Sequence, residues 1–130
     1  MKIDRIISIL TLIYILSLLI LPWLVPKTVM SHLWNPFSLL HIPLYGVLML
    51  LLTLTLQPRS AHPEAIPFKP SCLLLPGGVS FLIGVLDEVN QKFIPGREAS
   101  IGDLLLNLTG ILLASIGIYF WRRRLTKRRH

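Results

Sequence analysis

Four of the six acidic residues of this chain lie within one short stretch, "DEVNQKFIPGREASIGDLLLN", at positions 87–107. Carboxylates act as general acids and bases and bind metal ions or basic groups. Their concentration in an otherwise apolar chain makes this stretch the first candidate for a functional site. The four residues are Asp87, Glu88, Glu98 and Asp103.

Three pairs of polar residues spaced four positions apart could contribute to such a site. Two residues with this spacing lie on the same face of an α-helix. Only a short turn separates the second pair from the third, so their helices must be antiparallel neighbours. We therefore expect one site, formed at one level by the pairs His41 and Tyr45, Asp87 and Gln91, and Asp103 and Asn107.

Several of these residues also have a purely structural interpretation. Ser100 and Asp103 have the spacing of a capping box, in which Ser accepts a hydrogen bond from an early N–H and Asp reaches back to the Ser N–H. Asp87 could form a surface ion pair with a basic residue of the turn, a contact that contributes little to stability. Asn107 could bond only to another helix. The convergence of all the pairs at one depth favours a site.

The elements that must position these side chains are four apolar segments, at about 6–25, 38–56, 72–92 and 101–121. The chain is 53% hydrophobic, its mean hydropathy is +0.68, and a helix of roughly 20 apolar residues crosses a bilayer. We predict one all-α domain over residues 1–130, an integral membrane four-helix bundle. The first segment could be a signal peptide, but it has no small-residue cleavage site, so we predict a retained helix. Polar residues in such spans are functional candidates.

The basic residues indicate how the bundle is oriented. Ten of the 13 lie near the N-terminus, between the second and third segments, or after the fourth segment. Because positive residues remain on the cytoplasmic side, we expect a multi-pass protein of the cell membrane with both termini cytoplasmic. Residues 93–100 would then lie outside. The net charge of +7 is interpreted as this topology signal, and we expect no nucleic-acid partner.

Glycines predict how the helices pack. Gly110 and Gly117 lie seven positions apart on the fourth segment and therefore share a face. Small residues allow helix backbones to approach closely in membranes. We expect both glycines to lie in a helix interface, with Gly84 as the opposing contact on the third segment.

The polar stretch resembles the VanZ-like family, small integral membrane proteins named for a teicoplanin-resistance protein. The resemblance rests on Asp-Glu-x-x-Gln-x-Phe at 87–93, Pro-Gly-Arg at 95–97, Asp103, and Asn-x-x-Gly at 107–110. The family's earlier His and aromatic residue match His41 and Tyr45. The Asp-Lys that usually precedes that His is absent from "NPFSLLH". The resemblance implies a cell-envelope setting and a link to glycopeptide antibiotic resistance.

Our first hypothesis is binding or modification of an anionic molecule at the outer membrane face, either lipid-linked or a cell-wall precursor. Arg97, in bidentate fashion, and Lys92 would hold its phosphate or carboxylate. Pro95 and Gly96 would shape the turn that presents Arg97. The ligand-binding residues of this hypothesis are Tyr45, Gln91, Lys92, Pro95, Gly96, Arg97 and Asn107.

Two further hypotheses use the same residues. An intramembrane hydrolase or transferase would draw its catalytic groups from His41, Asp87, Glu88 and Asp103, with His41 or Glu88 as base or nucleophile. Asp87 and Asp103 would then be metal ligands or orienting groups, and carboxylates with a His at one depth could hold Mg²⁺ or Mn²⁺, although no spacing matches a known catalytic signature. Apart from this hypothesis we expect no cofactor and no metal site. A structural subunit would use the polar residues only to lock the bundle. The sequence leaves open whether a reaction is catalysed, which ligand binds and how many copies assemble.

Overall fold

Four α-helices make up most of the structure, a computed structural model that describes residues 2–24, 36–57, 69–97 and 99–127. Short 3₁₀ helices, Pro36–Leu40 and Pro70–Leu73, lead into the second and third. The described ranges contain no β-strand, which confirms the predicted all-α fold. The helices are α1 (Lys2–Leu24), α2 (His41–Leu56), α3 (Leu74–Gln91) and α4 (Ile101–Lys127).

All four helices are long and apolar enough to cross a membrane. The segments that meet this criterion are Asp4–Leu24, Ser38–Leu56, Pro70–Gln91 and Ile101–Leu125. Their outward faces carry large apolar side chains that are half or more exposed, such as Leu12, Leu82 and Leu113. Such an apolar surface is stable in contact with lipid. A helix can lie in lipid because its backbone N–H and C=O groups are hydrogen-bonded within the helix itself.

Helix α2 lies at the centre of the bundle. It packs most extensively against α4 and also contacts α1 and α3. A side chain of α1 is hydrogen-bonded to the backbone of α2: the Tyr14 hydroxyl donates to the carbonyl of Leu44 at 2.9 Å. The buried apolar core is formed by Leu18, Tyr45, Leu48, Met49, Leu52, Leu73, Ile83, Ile111 and Ile118.

The close approach of α2 and α4 depends on glycine. A Cβ atom at Gly110 would collide with the backbone carbonyl of Ile42, and one at Gly46 would lie 3.5 Å from the carbonyl oxygen of Gly110. The predicted packing at Gly110 is therefore present, but its opposing helix is α2. The expectation for Gly117 is wrong, because a Cβ there would meet no atom within 4 Å. Gly84 does contact α4, but beside Asn107 instead of Gly110, since a Cβ there would lie 3.1 Å from Asn107 Nδ2.

A tight turn joins α3 to α4. The Ile94 N–H donates to the Gln91 carbonyl and the Arg97 N–H to the Ile94 carbonyl, each at 3.1 Å. Gly96 has a φ of 81°, a left-handed conformation that glycine adopts without steric cost. The turn brings the end of α3 and the start of α4 side by side, at the same end of the bundle as the start of α2.

Candidate functional site

The buried face of α3 carries a stripe of polar side chains. Asp87 is 3% exposed and Glu88 5% exposed, although both lie within two turns of the end of the helix. Ser80 and Gln91 lie on the same face and are also buried. The residues between them that point outward, such as Leu86, are apolar and exposed. This arrangement reverses that of a water-soluble helix and is the one expected of a membrane helix with a polar interior site.

Tyr45 of α2 holds one oxygen of the Asp87 carboxylate. Its hydroxyl donates to Asp87 Oδ2 at 3.2 Å, and both groups are buried. Two of the three predicted pairs therefore meet directly, across the contact between α2 and α3.

His41 lies at the first position of α2 and is half-buried. Its Nδ1 lies 2.9 Å from the backbone carbonyl oxygen of Ser38. A carbonyl oxygen can only accept a hydrogen bond, so Nδ1 carries a proton, and in the neutral form of the ring Nε2 would be the acceptor nitrogen. The ring stacks on Tyr45 at a centroid distance of 6.4 Å and an interplanar angle of 10°.

His41 and the two buried carboxylates form a compact group. One donor atom each from His41, Asp87 and Glu88 lie within 4.8 Å of one another. The sequence had paired Asp87 with Asp103 as the carboxylates that could hold a metal ion. In the structure the second carboxylate of the group is Glu88, because it lies on the same buried face of α3 as Asp87.

Glu88 is also hydrogen-bonded to the backbone just before α4. Its Oε2 accepts a hydrogen bond from the backbone N–H of Ser100 at 2.9 Å. The predicted capping box is therefore only half correct. The Ser100 hydroxyl does accept from the Asp103 N–H, at 3.2 Å, but the Ser100 N–H is bonded to Glu88 of the neighbouring helix instead of Asp103.

Asn107 of α4 is fully buried, and neither its amide oxygen nor its amide nitrogen has a hydrogen-bond partner among the described residues. A Cβ added at Gly84 would lie 3.1 Å from Asn107 Nδ2 and 3.2 Å from Tyr45 Cε1. Gly84 thus makes room for the amide between α2 and α3. The hydrogen bond to another helix that would make Asn107 purely structural is not seen in this part of the chain.

Three other polar atoms at this interior face lack a partner within the described ranges: Ser80 Oγ, Asp87 Oδ1 and Glu88 Oε1. Buried polar groups in native proteins are nearly always hydrogen-bonded, so such a group of exceptions requires an explanation. Ser80 is not among the site residues predicted from the sequence. Its signal was the spacing of seven residues before Asp87, which places both on one helix face.

Asn90 was also missed, and its role is structural. Its Nδ2 donates to the carbonyl of Leu19 at 2.8 Å, and its Oδ1 accepts from Trp23 Nε1 at 3.2 Å. These bonds attach the end of α1 to the end of α3. The side chain points away from the buried carboxylates, toward α1.

The basic residues of the turn differ in their surroundings. Arg97 is half-buried, whereas Lys92, Pro95 and Gly96 are exposed. Partial burial lowers the pKa of Arg97 from its usual value, and the Coulomb attraction of Asp87 opposes this shift. Arg97 is therefore the cation of the turn that is drawn toward the site.

The remaining acidic candidates lie at the edge of the site or outside the described ranges. Asp103 is half-buried in the first turn of α4, where a negative charge also suits the helix dipole. Glu98 lies outside the described residues.

A family model described as VanZ/LLP1 matches residues 24–122, from the last residue of α1 to near the end of α4. The matched range includes every residue of the site. No curated protein and no solved structure matches this sequence.

Proposed function

The chain belongs to the VanZ/LLP1 family, and we propose that it binds the anionic headgroup of a lipid-linked cell-envelope molecule at one face of the membrane. The observation that carries this proposal is the fully buried Asn107 amide, with two polar atoms that find no partner among the described residues. In an apolar bundle such an amide must face water or a ligand. A purely structural role would be expected to satisfy it within the protein.

The charge of the proposed ligand follows from Arg97. A guanidinium binds phosphate or carboxylate through two parallel hydrogen bonds, which an ammonium group cannot reproduce. The partial burial of Arg97 and its attraction to Asp87 keep it close to the polar interior. Lys92, being exposed, would attract an anion at longer range without fixing its orientation.

The lipid character of the ligand follows from the position of the site. The polar groups lie where α2 begins, α3 ends and α4 begins, so a headgroup at the membrane surface reaches them while its tail remains in the bilayer. The exposed apolar faces of the helices would contact that tail. Hydrogen bonds from Tyr45, Gln91 and Asn107 would add specificity for the headgroup.

Native mass spectrometry of the gently extracted protein tests this function. The wild type should retain a co-purified lipid, and Arg97→Gln should reduce its retention about tenfold or more, since charged hydrogen bonds of this kind contribute roughly 1.5–3 kcal/mol. Lys92→Gln removes the same charge from the same turn and should retain the lipid. Equal retention in the wild type and in Arg97→Gln would contradict the proposal.

The side of the membrane can be tested with thiol labelling. The distribution of basic residues supports an outward-facing site with both termini cytoplasmic. Phe93 lies in the turn and is 72% exposed. A Cys introduced at this position, in a Cys72→Ser background, should react with an impermeant thiol reagent in intact cells. The native Cys72, exposed at the opposite end of the bundle, should not react. The reverse pattern would place the site on the cytoplasmic side.

The proposed cellular role is tolerance of a glycopeptide antibiotic, through binding of an envelope molecule. Expression of the wild type in a sensitive host should raise the teicoplanin concentration that the cells survive. Arg97→Gln, expressed at an equal level, should not do so. If both proteins raised the tolerated teicoplanin concentration equally, antibiotic tolerance would not depend on this site.

A second candidate function, an intramembrane hydrolase or transferase, is favoured by the grouping of His41, Asp87 and Glu88. In its neutral form, His41 could accept a proton at Nε2 from an attacking water or hydroxyl group. Purified protein would then convert the co-purified lipid to a product of different mass. His41→Gln should abolish the conversion while lipid is still bound, and an unchanged lipid mass in the wild type over long incubation would contradict this function.

A further inference from the structure

We propose that His41, Asp87 and Glu88 bind a divalent transition-metal ion, of which Mn²⁺ and Zn²⁺ are the best matches. These residues come from the start of α2 and the end of α3, and one donor atom of each lies within 4.8 Å of the others. The proposed site goes beyond headgroup binding, because the protein supplies all three ligands and metal binding requires no lipid.

Each carboxylate has one oxygen held by the protein and one oxygen free. Asp87 Oδ2 accepts from the Tyr45 hydroxyl at 3.2 Å, and Glu88 Oε2 accepts from the Ser100 N–H at 2.9 Å. Asp87 Oδ1 and Glu88 Oε1 have no partner in the described part of the chain, and both residues are more than nine-tenths buried. Hydrogen bonds that orient a ligand while leaving one donor atom open are typical of metal sites.

The imidazole of His41 is oriented in the same way. Its Nδ1–H is directed to the backbone carbonyl of Ser38 at 2.9 Å. In the neutral form of the ring this bond selects the tautomer in which Nε2 is the nitrogen able to bind a metal ion. Metal-binding histidines almost always donate their other ring N–H to a carbonyl or carboxylate, which also increases their basicity. This observation is independent of the acidic residues.

The charge of the group also points to a cation. Two carboxylates lie side by side in a bundle whose surroundings are apolar, and burial of unpaired charge is strongly unfavourable. Arg97 acts on Asp87 by Coulomb attraction from the turn. A divalent ion between the free oxygens would neutralise both carboxylates.

The donor set determines the class of ion. Mg²⁺ prefers oxygen ligands in near-ideal octahedral geometry, whereas imidazole suits Zn²⁺ and carboxylates suit Mn²⁺. One nitrogen and two oxygens therefore favour Mn²⁺ or Zn²⁺, with positions left for water or an anionic headgroup. Metal–ligand distances are about 2.0–2.2 Å for nitrogen and oxygen, so small side-chain rotations would bring the three donors onto an ion.

Direct measurement of Mn²⁺ binding tests the site. The protein is purified in detergent with a tag that lacks histidine, stripped with EDTA and titrated with Mn²⁺, and the free ion is followed by electron paramagnetic resonance. We expect one ion per chain, displaced by Zn²⁺. His41→Gln and Glu88→Gln should each weaken binding about tenfold or more, while Asp103→Asn, a carboxylate at the edge of the site, should retain it.

A spectroscopic signature separates ligation from misfolding. Bound Mn²⁺ should show ¹⁴N modulation from the imidazole in pulsed electron paramagnetic resonance, and that modulation should be absent from the residual bound ion in His41→Gln. No stoichiometric binding by the wild type, no ¹⁴N signal, or an equal loss of affinity in Asp103→Asn would overturn the proposal. None of these results would affect lipid retention through Arg97, so failure of the metal site and failure of headgroup binding are distinguishable.

Discussion

Helix α2 takes part in two polar contacts with neighbouring helices, one near each end, and the two differ in whether the protein satisfies them. Near its end, the hydroxyls of Thr55 and of Thr11 from α1 lie 2.8 Å apart. Each hydroxyl also lies within hydrogen-bond distance of a carbonyl oxygen of its own helix. The Thr55 hydroxyl is 2.9 Å from the Leu51 carbonyl, and the Thr11 hydroxyl is 2.8 Å from the Ile7 carbonyl. This contact needs no group from outside the protein.

At the start of α2 the opposite holds. Tyr45 meets Asp87, but Asp87 Oδ1, Glu88 Oε1 and both amide atoms of Asn107 lack partners among the described residues. An amide or hydroxyl buried without a partner costs about 1–3 kcal/mol. The comparison teaches that burial of polar groups in a membrane bundle does not by itself identify a site. Satisfied groups join helices, whereas several unsatisfied groups close together indicate where a ligand or ion belongs. The unpaired Gln57 Nε2, at the other end of α2, lies apart from this group.

The largest effect is expected where an unsatisfied group is removed. Asn107→Leu replaces the amide with an apolar side chain of similar size, so lipid retention should fall about tenfold or more. The melting temperature in detergent should stay the same or rise, because Asn107 makes no side-chain hydrogen bond with the residues that the structure describes. Native mass spectrometry and thermal unfolding of the same sample measure both. A lower melting temperature with full lipid retention would show that Asn107 belongs to the scaffold.

A scaffold contact should show the reverse pattern. Gly110→Ala introduces a Cβ atom against the Ile42 carbonyl, and overpacking of this kind costs about 1–3 kcal/mol. Thermal unfolding in detergent should therefore shift to lower temperature. Gly117→Ala, on the same helix but with no atom within 4 Å of its Cβ, is the matched control and should change little. Equal shifts in the two variants would contradict the close approach of α2 and α4.

The smallest effect is expected at the satisfied threonine pair. Thr11→Val together with Thr55→Val removes both hydroxyls and leaves apolar groups of the same shape. Interhelical hydrogen bonds in membranes contribute about 0.6 kcal/mol on average, so the melting temperature should fall only slightly. Lipid retention and Mn²⁺ binding should equal those of the wild type. Loss of either would mean that this contact shapes the site, and the distinction between the two ends of α2 would be wrong.

The sequence alone determined the features that depend on local pattern. The lengths of the apolar segments predicted four membrane-spanning helices, and the spacing of four residues placed Asp87 with Gln91 on one face of α3. The motif from residue 87 to residue 110 indicated the family. Each of these follows from helix periodicity or from residue order, which neighbouring helices do not alter.

The tertiary structure decided which groups on different helices meet. Helix rotation and depth place Glu88, instead of Asp103, beside His41 and against the Ser100 N–H. They set Gly110 against α2 and leave Gly117 with open space, although the two glycines share a face. They also place Asn107 beside Gly84, where its amide has no partner within the described ranges. The physical reason is that helix periodicity fixes directions within one helix, whereas packing between helices, set by side-chain volume and close backbone approach, fixes the distances across them.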